Sequence, residues 1–349
     1  MSDEILAFAE GGVGRLRLNR PKAIHALNEP MCRAMADQLV MWTRDPAMEL
    51  VLLDHADGRG FCAGGDVRAA AESARADGAA ARSFFYAEYQ LNHLLFTYAK
   101  PVVSFLDGIV MGGGVGIGLP AAYRVATERT VFAMPEATIG LFPDVGAGRY
   151  LSRLPGRLGQ YLALTAARLD GADVHAIGLA THYIASDALE AVKAKLLAAP
   201  NEVASILNAA STAPPDSSIL ARRAEIDRLF AGETLEAVIA ALAADGGEWA
   251  GRELAGLRTK SPQSCKVALR LLREAAARSD FADEMRAEYA LAVHICMRPD
   301  FIEGVRALLI DKDNTPRWDP ATPEGVTDTL LDTIFAPLPQ AEQWQPLIL

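Results

Sequence analysis

Glu136 and Asp144 have the side-chain type and the setting to act as an acid and a base. They lie in FAMPEATIGLFPDVGAGRYL, residues 132–151, where each directly follows a proline and no other charge occurs before Arg149. A carboxylate among Met134, Ile139, Leu141 and Phe142 is poorly hydrated, which favours its protonated form. Two such acids in unequal settings are pushed apart in pKa, and that is how a site obtains both an acid and a base from one functional group. Two ordinary loop acids look the same in isolation, because Pro-Glu and Pro-Asp are common turn dipeptides. The rest of the chain has to decide between these readings.

Two glycine-rich segments supply what such acids would work with. GRGFCAGGDVR covers residues 58–68, and GIVMGGGVGIGLP covers 108–120, entered from an apolar run that ends near Leu106. Glycine clusters after strands mean that backbone must approach another segment or a ligand closely. An amide at a helix start is a good oxyanion donor, since its N–H is unsatisfied and the helix dipole reinforces it. Two such junctions predict two converging N–H groups. The second cluster also fits a dinucleotide fingerprint, Gly116-x-Gly118-x-x-Ala121, with Glu136 further on. In that motif the strand runs straight into the first glycine, whereas here Gly112 to Gly114 intervene, and Glu136 follows Pro135 in a turn instead of ending a strand.

Other chemistries find less support. There is no G-x-S-x-G, and Cys62 has no histidine placed by motif to activate it. Cys32, Cys62, Cys265 and Cys296 form no C-x-x-C pair and read as small buried hydrophobes in a reducing cytosol. His175 and His182 lack a nearby third ligand and no H-E-x-x-H occurs, so no metal site is expected.

The elements that must position these residues can be read in outline. Ile5 to Ala9 and Val13 to Leu18 flank Glu10-Gly11-Gly12 as a hairpin. A helix is expected over Met31–Thr43, capped by Asn28 with Pro30 in its first turn. Leu50–Leu53 reads as a strand followed by a turn from Asp54 to Gly58, Arg82–Ala99 as a helix, and Val102–Leu106 as a buried strand. Short strands are expected at Val125–Ala126 and Thr130–Ala133, and an exposed helix in the alanine-rich stretch 69–81. Strand signals stop near residue 185. Ser211 to Asp216 then reads as a linker, and Ser261-Pro262 as a strong helix start.

Composition narrows the class. A chain of 349 residues, 51% hydrophobic and 22% charged, is an ordinary globular protein with a large domain and a smaller one. Its formal charge of −10 argues against nucleic acid as the main partner. No apolar run reaches membrane-spanning length. MSDEILAFAEGG has neither the basic and apolar regions of a secretory signal nor the Arg- and Ser-rich character of a transit peptide, so a cytoplasmic location is expected.

The chain resembles the enoyl-CoA hydratase/isomerase (crotonase) superfamily in LRLNRPKAIHALN, FCAGGD, MGGGVG and the carboxylate segment. More narrowly, MPEATIGLFPDVGAGRYLSRL, SPQSCKVALRLLRE, CMRPDF and EGVRALLIDKDNTPRWDPAT resemble the 3-hydroxyisobutyryl-CoA hydrolase branch. The resemblance spans most of the chain, and the combination of motifs is specific where no single one is. It implies an α/β crotonase spiral of ββα units over residues 1–200, with a helical region at 201–349 packed on that core or on a neighbouring subunit in a homo-oligomer. It makes the backbone N–H groups of Gly65 and Gly113 the oxyanion donors and Glu136 the catalytic glutamate. Asp144 would be the second acid, moving a proton for water or thiolate. Glu88 would contact the acyl hydroxyl, and Arg68 the CoA moiety. The substrate brings its own CoA, so no metal or separate cofactor is implied.

A departure from the hydratase pattern bears on the reaction. Hydratases of the superfamily carry a first glutamate three residues after the central glycine of the triplet, and here that position is Gly116. They also tend to have glycine where this chain has Asp144. The resemblance therefore implies hydrolysis of a short 3-hydroxyacyl-CoA, with 3-hydroxyisobutyryl-CoA as the first expectation. Alternatives are an isomerase or hydratase on the same scaffold, or a non-catalytic protein that binds acyl-CoA or RNA.

Overall fold

The computed structural model describes residues 3–347. The chain begins with β1 (Ile5–Glu10) and β2 (Val13–Leu18), antiparallel across Gly11 and Gly12, which both take positive φ (56° and 83°). Seven strands follow: β3 (Leu50–His55), β4 (Val102–Leu106), β5 (Ile109–Met111), β6 (Tyr123–Ala126), β7 (Val131–Ala133), β8 (Leu169–Asp170) and β9 (His182–Tyr183). One sheet runs β1-β2-β3-β4-β6-β9, parallel from β2 onward, and a small second sheet runs β5-β7-β8. Consecutive strands thus feed alternate sheets, β4 into the large one and β5 into the small one, then β6 and β7 likewise. This is the ββα spiral that the resemblance implied.

Both faces of the large sheet are covered, which explains its near-continuous apolar strands. Leu16, Leu18, Val51, Leu53, Val102 and Leu106 face a core shared with α1 (Glu29–Arg44) and the helices beyond it. Val13, Leu50, Leu52, Val103, Phe105 and Val125 face a second layer that includes Leu189, Val192, Val203 and Leu207. The Asn28 side chain caps α1 by accepting from Met31 N at 2.9 Å, as its position before Pro30 predicts.

Some local expectations need correction. Asp54 and His55 belong to β3 and not to a turn; Asp54 is buried, held by Arg17 (3.1 Å), Lys193 (2.8 Å) and Arg15. The alanine-rich stretch is not one exposed helix. It is divided between α2 (Val67–Ala74) and α3 (Ala79–Phe96), which part at Gly78 with φ 72°. Ala70, Ala71, Ala74 and Ala81 are buried, because small side chains let these two helices lie close together. The helix expected from Arg82 accordingly starts one turn earlier.

The remaining helices are α4 (Gly113–Gly118), α5 (Ala147–Ser152), α6 (Leu158–Thr165) and α7 (Gly171–Ala176) in the spiral, followed by α8 (Leu189–Ala198) and α9 (Val203–Ala210) on the sheet. Then come α10 (Ser218–Ala221), α11 (Arg223–Leu229), α12 (Leu235–Asp245), α13 (Glu248–Leu257), α14 (Pro262–Ala277), α15 (Phe281–Cys296), α16 (Pro299–Val305) and α17 (Asp328–Ile334). Ser261 caps α14 through Ser264 N at 3.0 Å, as read from Ser261-Pro262. This C-terminal part packs on the core of its own chain, α14 against α5 and α6, and α15 against α3 and α5. Among the described residues no helix is long and apolar enough to cross a membrane.

Candidate active site

A cavity of about 450 Å³ opens where the two glycine segments meet the carboxylate segment. Gly65, Gly113, Glu88, Glu136 and Asp144 all line it. Arg68 does not: it lies on the exposed side of α2, although its neighbour Val67 reaches the cavity.

The glycine wall is built from backbone. The 62–66 loop is fixed on one side by Cys62 N to Ile109 O (2.9 Å) and Met111 N to Cys62 O (3.0 Å). On the other side it is fixed by Leu27 N to Gly64 O (2.8 Å) and Asp66 N to Leu27 O (2.7 Å). Cys62 is thereby a buried structural residue, its thiol pushed up to about 12 by burial. Gly113 opens α4 directly after β5. A Cβ on Gly113 would stand 3.2 Å from Gly65 N and only 2.3 Å from Glu88 Oε1, so this residue must be glycine for the segments to meet. Among the described residues neither the Gly65 nor the Gly113 amide donates to a protein acceptor. Two unspent N–H groups close together at one end of the cavity can receive a developing oxyanion.

The carboxylate wall is held by side chains and by distant parts of the chain. Glu136 starts a 3-10 turn, Glu136–Thr138, after Pro135. The C-terminal region backs that turn: Ser261 N donates to Ala137 O at 3.0 Å, and Lys260 Nζ donates to Thr138 Oγ1 at 2.9 Å. Gly140 (φ 75°) lies so close to α16 that a Cβ would stand 2.1 Å from Asp300 O. Asp144 is oriented by Tyr89 of α3, whose hydroxyl donates to Oδ2 at 2.6 Å. The next residue, Val145, is left-handed (φ 56°), a state that costs a β-branched residue of order 1–3 kcal/mol. Its side chain fills the space beside Gly116, where an added Cβ would stand 2.5 Å from Val145 Cβ and 2.8 Å from Asn92 Nδ2. The loop bearing Asp144 therefore occupies the room that an acid at position 116 would need.

Burial sets the electrostatics. Glu88, Glu136 and Asp144 are 2%, 4% and 4% exposed, and among the described residues Glu88 Oε1 and Glu136 Oε2 have no hydrogen-bond partner. Desolvation pushes Glu136 well above the ordinary glutamate range, and the nearby Asp144 charge pushes it further. Glu88 is raised well above its ordinary value by the same two causes. Desolvation also raises Asp144, but the Tyr89 hydrogen bond opposes it and holds the value to about 6. The three acids are thus unequal, as the apolar segment predicted, with Asp144 the first to ionise.

Several cavity residues carry no sequence signal. Arg168 and Lys260 line the wall as cations, and among the described residues neither has a carboxylate within salt-bridge distance. Leu308 and Leu309 come from a single π turn, Arg306–Ile310. Tyr89 was findable only as a neighbour of Glu88. Among the described residues no group of three or more His, Cys, Asp or Glu has the arrangement to hold a metal ion.

A cavity with two free amides beside buried acids, on a ββα spiral, defines a scaffold for stabilising thioester oxyanions. The chain belongs to the enoyl-CoA hydratase/isomerase family, whose sequence pattern matches residues 13–335. It is 43% identical over 345 residues to the mitochondrial 3-hydroxyisobutyryl-CoA hydrolase of Xenopus tropicalis, covering 96% of this chain and 89% of that protein. The human protein of the same name is 41% identical over 347 residues, 97% of this chain and 89% of that one. Among solved structures, a carnitinyl-CoA dehydratase from Mycobacterium thermoresistibile matches with a TM-score of 0.93 at 42% identity, covering 97% and 98% of the two chains. An enoyl-CoA hydratase from Rhodobacter sphaeroides 2.4.1 matches with a TM-score of 0.92 at 34% identity, covering 98% and 100%. The names of these relatives divide between thioester hydrolysis and double-bond chemistry.

Proposed function

We propose that the protein hydrolyses 3-hydroxyisobutyryl-CoA to 3-hydroxyisobutyrate and CoA. The observation that carries this reading is the pairing of Asp144 with Gly116. The loop that supplies a second acid at 144 also fills the space of an acid at 116, so the two arrangements exclude each other. The names of the vertebrate relatives agree with hydrolysis.

In this mechanism the thioester oxygen sits between the Gly65 and Gly113 amides. Glu136, once ionised, starts the attack on the carbonyl carbon, directly or by taking a proton from water. Its raised pKa makes it a strong base for a carboxylate. Negative charge moves to the oxygen and is held by the two N–H groups. The C–S bond then breaks. In the water route the acid is released at once, and the proton held by Glu136 passes by way of Asp144 to the thiolate. In the direct route an acyl-Glu136 anhydride is left, which water opens in a second step while Asp144 takes the water's proton and passes it to the thiolate. The acids act on the acyl group as general acid and base, and the CoA arrives with the substrate, so no cofactor step is required. Glu88, whose pKa burial raises well above the ordinary glutamate range, is placed to contact the 3-hydroxyl. Arg168 and Lys260, without protein counter-ions, suit the CoA phosphates.

The runner-up is double-bond chemistry through Glu136 alone, the chemistry named for the two structural relatives. Free-thiol release separates the readings. Thiol appearing with 3-hydroxyisobutyryl-CoA, and no ultraviolet change with crotonyl-CoA or a 3-enoyl-CoA, supports hydrolysis; alkene conversion without thiol release overturns it. We propose a cytoplasmic location; four free, buried cysteines are in keeping with a reducing compartment, and the vertebrate relatives are named as mitochondrial.

A further inference from the structure

Glu288 is fully buried on α15, outside the cavity lining, and among the described residues it pairs with no cation. Two backbone amides hold it: Gly146 N donates to Oε2 at 2.7 Å and Gly148 N donates to Oε1 at 3.2 Å, and the Glu284 carboxyl one turn earlier on α15 pairs with it. Burying a carboxyl group this way costs stability and is retained where it fixes something. What it fixes is the turn that follows Asp144. Val145 and Gly146 are consecutive left-handed residues, φ 56° and 88°, and valine does not hold such a conformation unless its surroundings impose it. The clamp closes on both sides of Ala147, whose own N–H returns to Asp144 O at 2.9 Å. Gly148 admits the clamp, since a Cβ there would stand 3.2 Å from Glu288 Oε1 and 2.1 Å from Glu284 Oε1.

We propose that Glu288 is a positioning residue for the reaction: by clamping Gly146 and Gly148 it imposes the left-handed turn at Val145 and so aims Asp144 into the cavity. This rests on the hydrolase reading for its consequence, but the clamp itself does not. Glu288 touches no substrate, so its effect falls on turnover and leaves binding alone. Relaxation of Val145 toward extended or right-handed backbone would swing the Asp144 carboxyl away from Tyr89 and from the acyl group.

The test is Glu288→Gln, which keeps the shape but sets an amide NH2 against one of the two N–H donors. With thiol release as the assay, kcat falls about ten-fold or more while KM stays within about two-fold, as expected for a misplaced catalytic group. Hydrogen exchange at residues 145–148 accelerates in the same variant, a readout that needs no substrate. Adding Val145→Gly, which removes the side chain that resists the left-handed state, raises kcat of Glu288→Gln back toward the wild-type value. A general loss of fold would not be reversed by that second change. Wild-type kcat in Glu288→Gln, or unchanged exchange at 145–148, overturns the proposal. A wild-type protein that releases no thiol would defeat the hydrolase reading, while the exchange result would still decide whether Glu288 holds the turn.

Discussion

The two walls of the cavity are made in opposite ways. The glycine wall is backbone set by backbone: strand β5, the 62–66 loop and Leu27 hold one another, and all of it comes from the first third of the chain. The carboxylate wall is side chains set by side chains and by contacts across the sequence, from Lys260 and Ser261 to the Glu136 turn and from Glu288 to the Asp144 turn. A donor formed by main chain tolerates no added atom but needs no outside support. An acid on a loop can be re-aimed, which is where relatives on one scaffold can differ in reaction.

The largest expected effects separate the walls directly. Glu136→Gln and Asp144→Asn should each lower kcat by about 10²–10⁴ with KM little changed, since both act in the transition state. Near-normal thiol release by Asp144→Asn would show that the second acid has been misassigned. Gly113→Ala attacks the other wall, placing a Cβ 2.3 Å from Glu88 Oε1 and 3.2 Å from Gly65 N. A loss of about 10²–10³ in kcat is expected if one amide is displaced from the oxyanion. A fully active alanine variant would mean that Gly113 N does not hold the oxyanion.

The same contrast explains what the sequence disclosed. Glycine clusters mark the first wall because close approach leaves a visible trace in composition, but within them Gly65 and Gly113 are singled out by the resemblance. Glu136 and Asp144 stand out as charges in an apolar run. Glu88 could be placed only by resemblance, because a helix face does not announce what packs on it, and here Glu88 itself is 2% exposed. Glu288 and Lys260 were out of reach, since each acts on a residue more than a hundred positions away. Arg68, chosen for its nearness in sequence to the glycine loop, lies on the solvent side of α2, where one step along a helix turns a side chain away from the cavity. The strand pattern was legible wherever both sheet faces are buried, and fragmentary in the two- and three-residue strands β5, β8 and β9.

The rim cations give a smaller effect of a different kind. The double substitution Arg168→Gln with Lys260→Gln should raise KM for the CoA thioester about ten-fold, at a modest energy per lost phosphate contact. KM for the same acyl group on pantetheine, which lacks the CoA phosphates, should not move. An equal rise for both thioesters would assign these residues to structure and not to phosphate recognition. Tyr89→Phe comes next. Its hydroxyl lowers the Asp144 pKa, so removing it raises that value above about 6. The Asp144 titration, followed by carboxyl-carbon NMR, should then shift to higher pH, and an unshifted titration would mean that the Tyr89 hydroxyl does not hold the Asp144 carboxylate.

The smallest effect falls on Glu88, the acid seated against Gly113. Its Oε1 crowds Gly113, and an ionised carboxylate there would repel the oxyanion that the two amides are meant to hold. Burial opposes ionisation there, lifting the folded-state pKa well above the ordinary glutamate value. A raised folded-state pKa contributes stability that is complete below the unfolded-state value and is lost as pH rises through the folded-state one. Glu88→Gln keeps a neutral hydrogen-bonding side chain and removes that loss. Its Tm should match the wild type in mild acid and exceed it increasingly toward alkaline pH. KM should rise for the 3-hydroxyacyl thioester but not for isobutyryl-CoA, which has no hydroxyl to contact. A Tm difference that shrinks with rising pH would mean that Glu88 is ionised in the folded protein, and that the glycine wall works beside a negative charge.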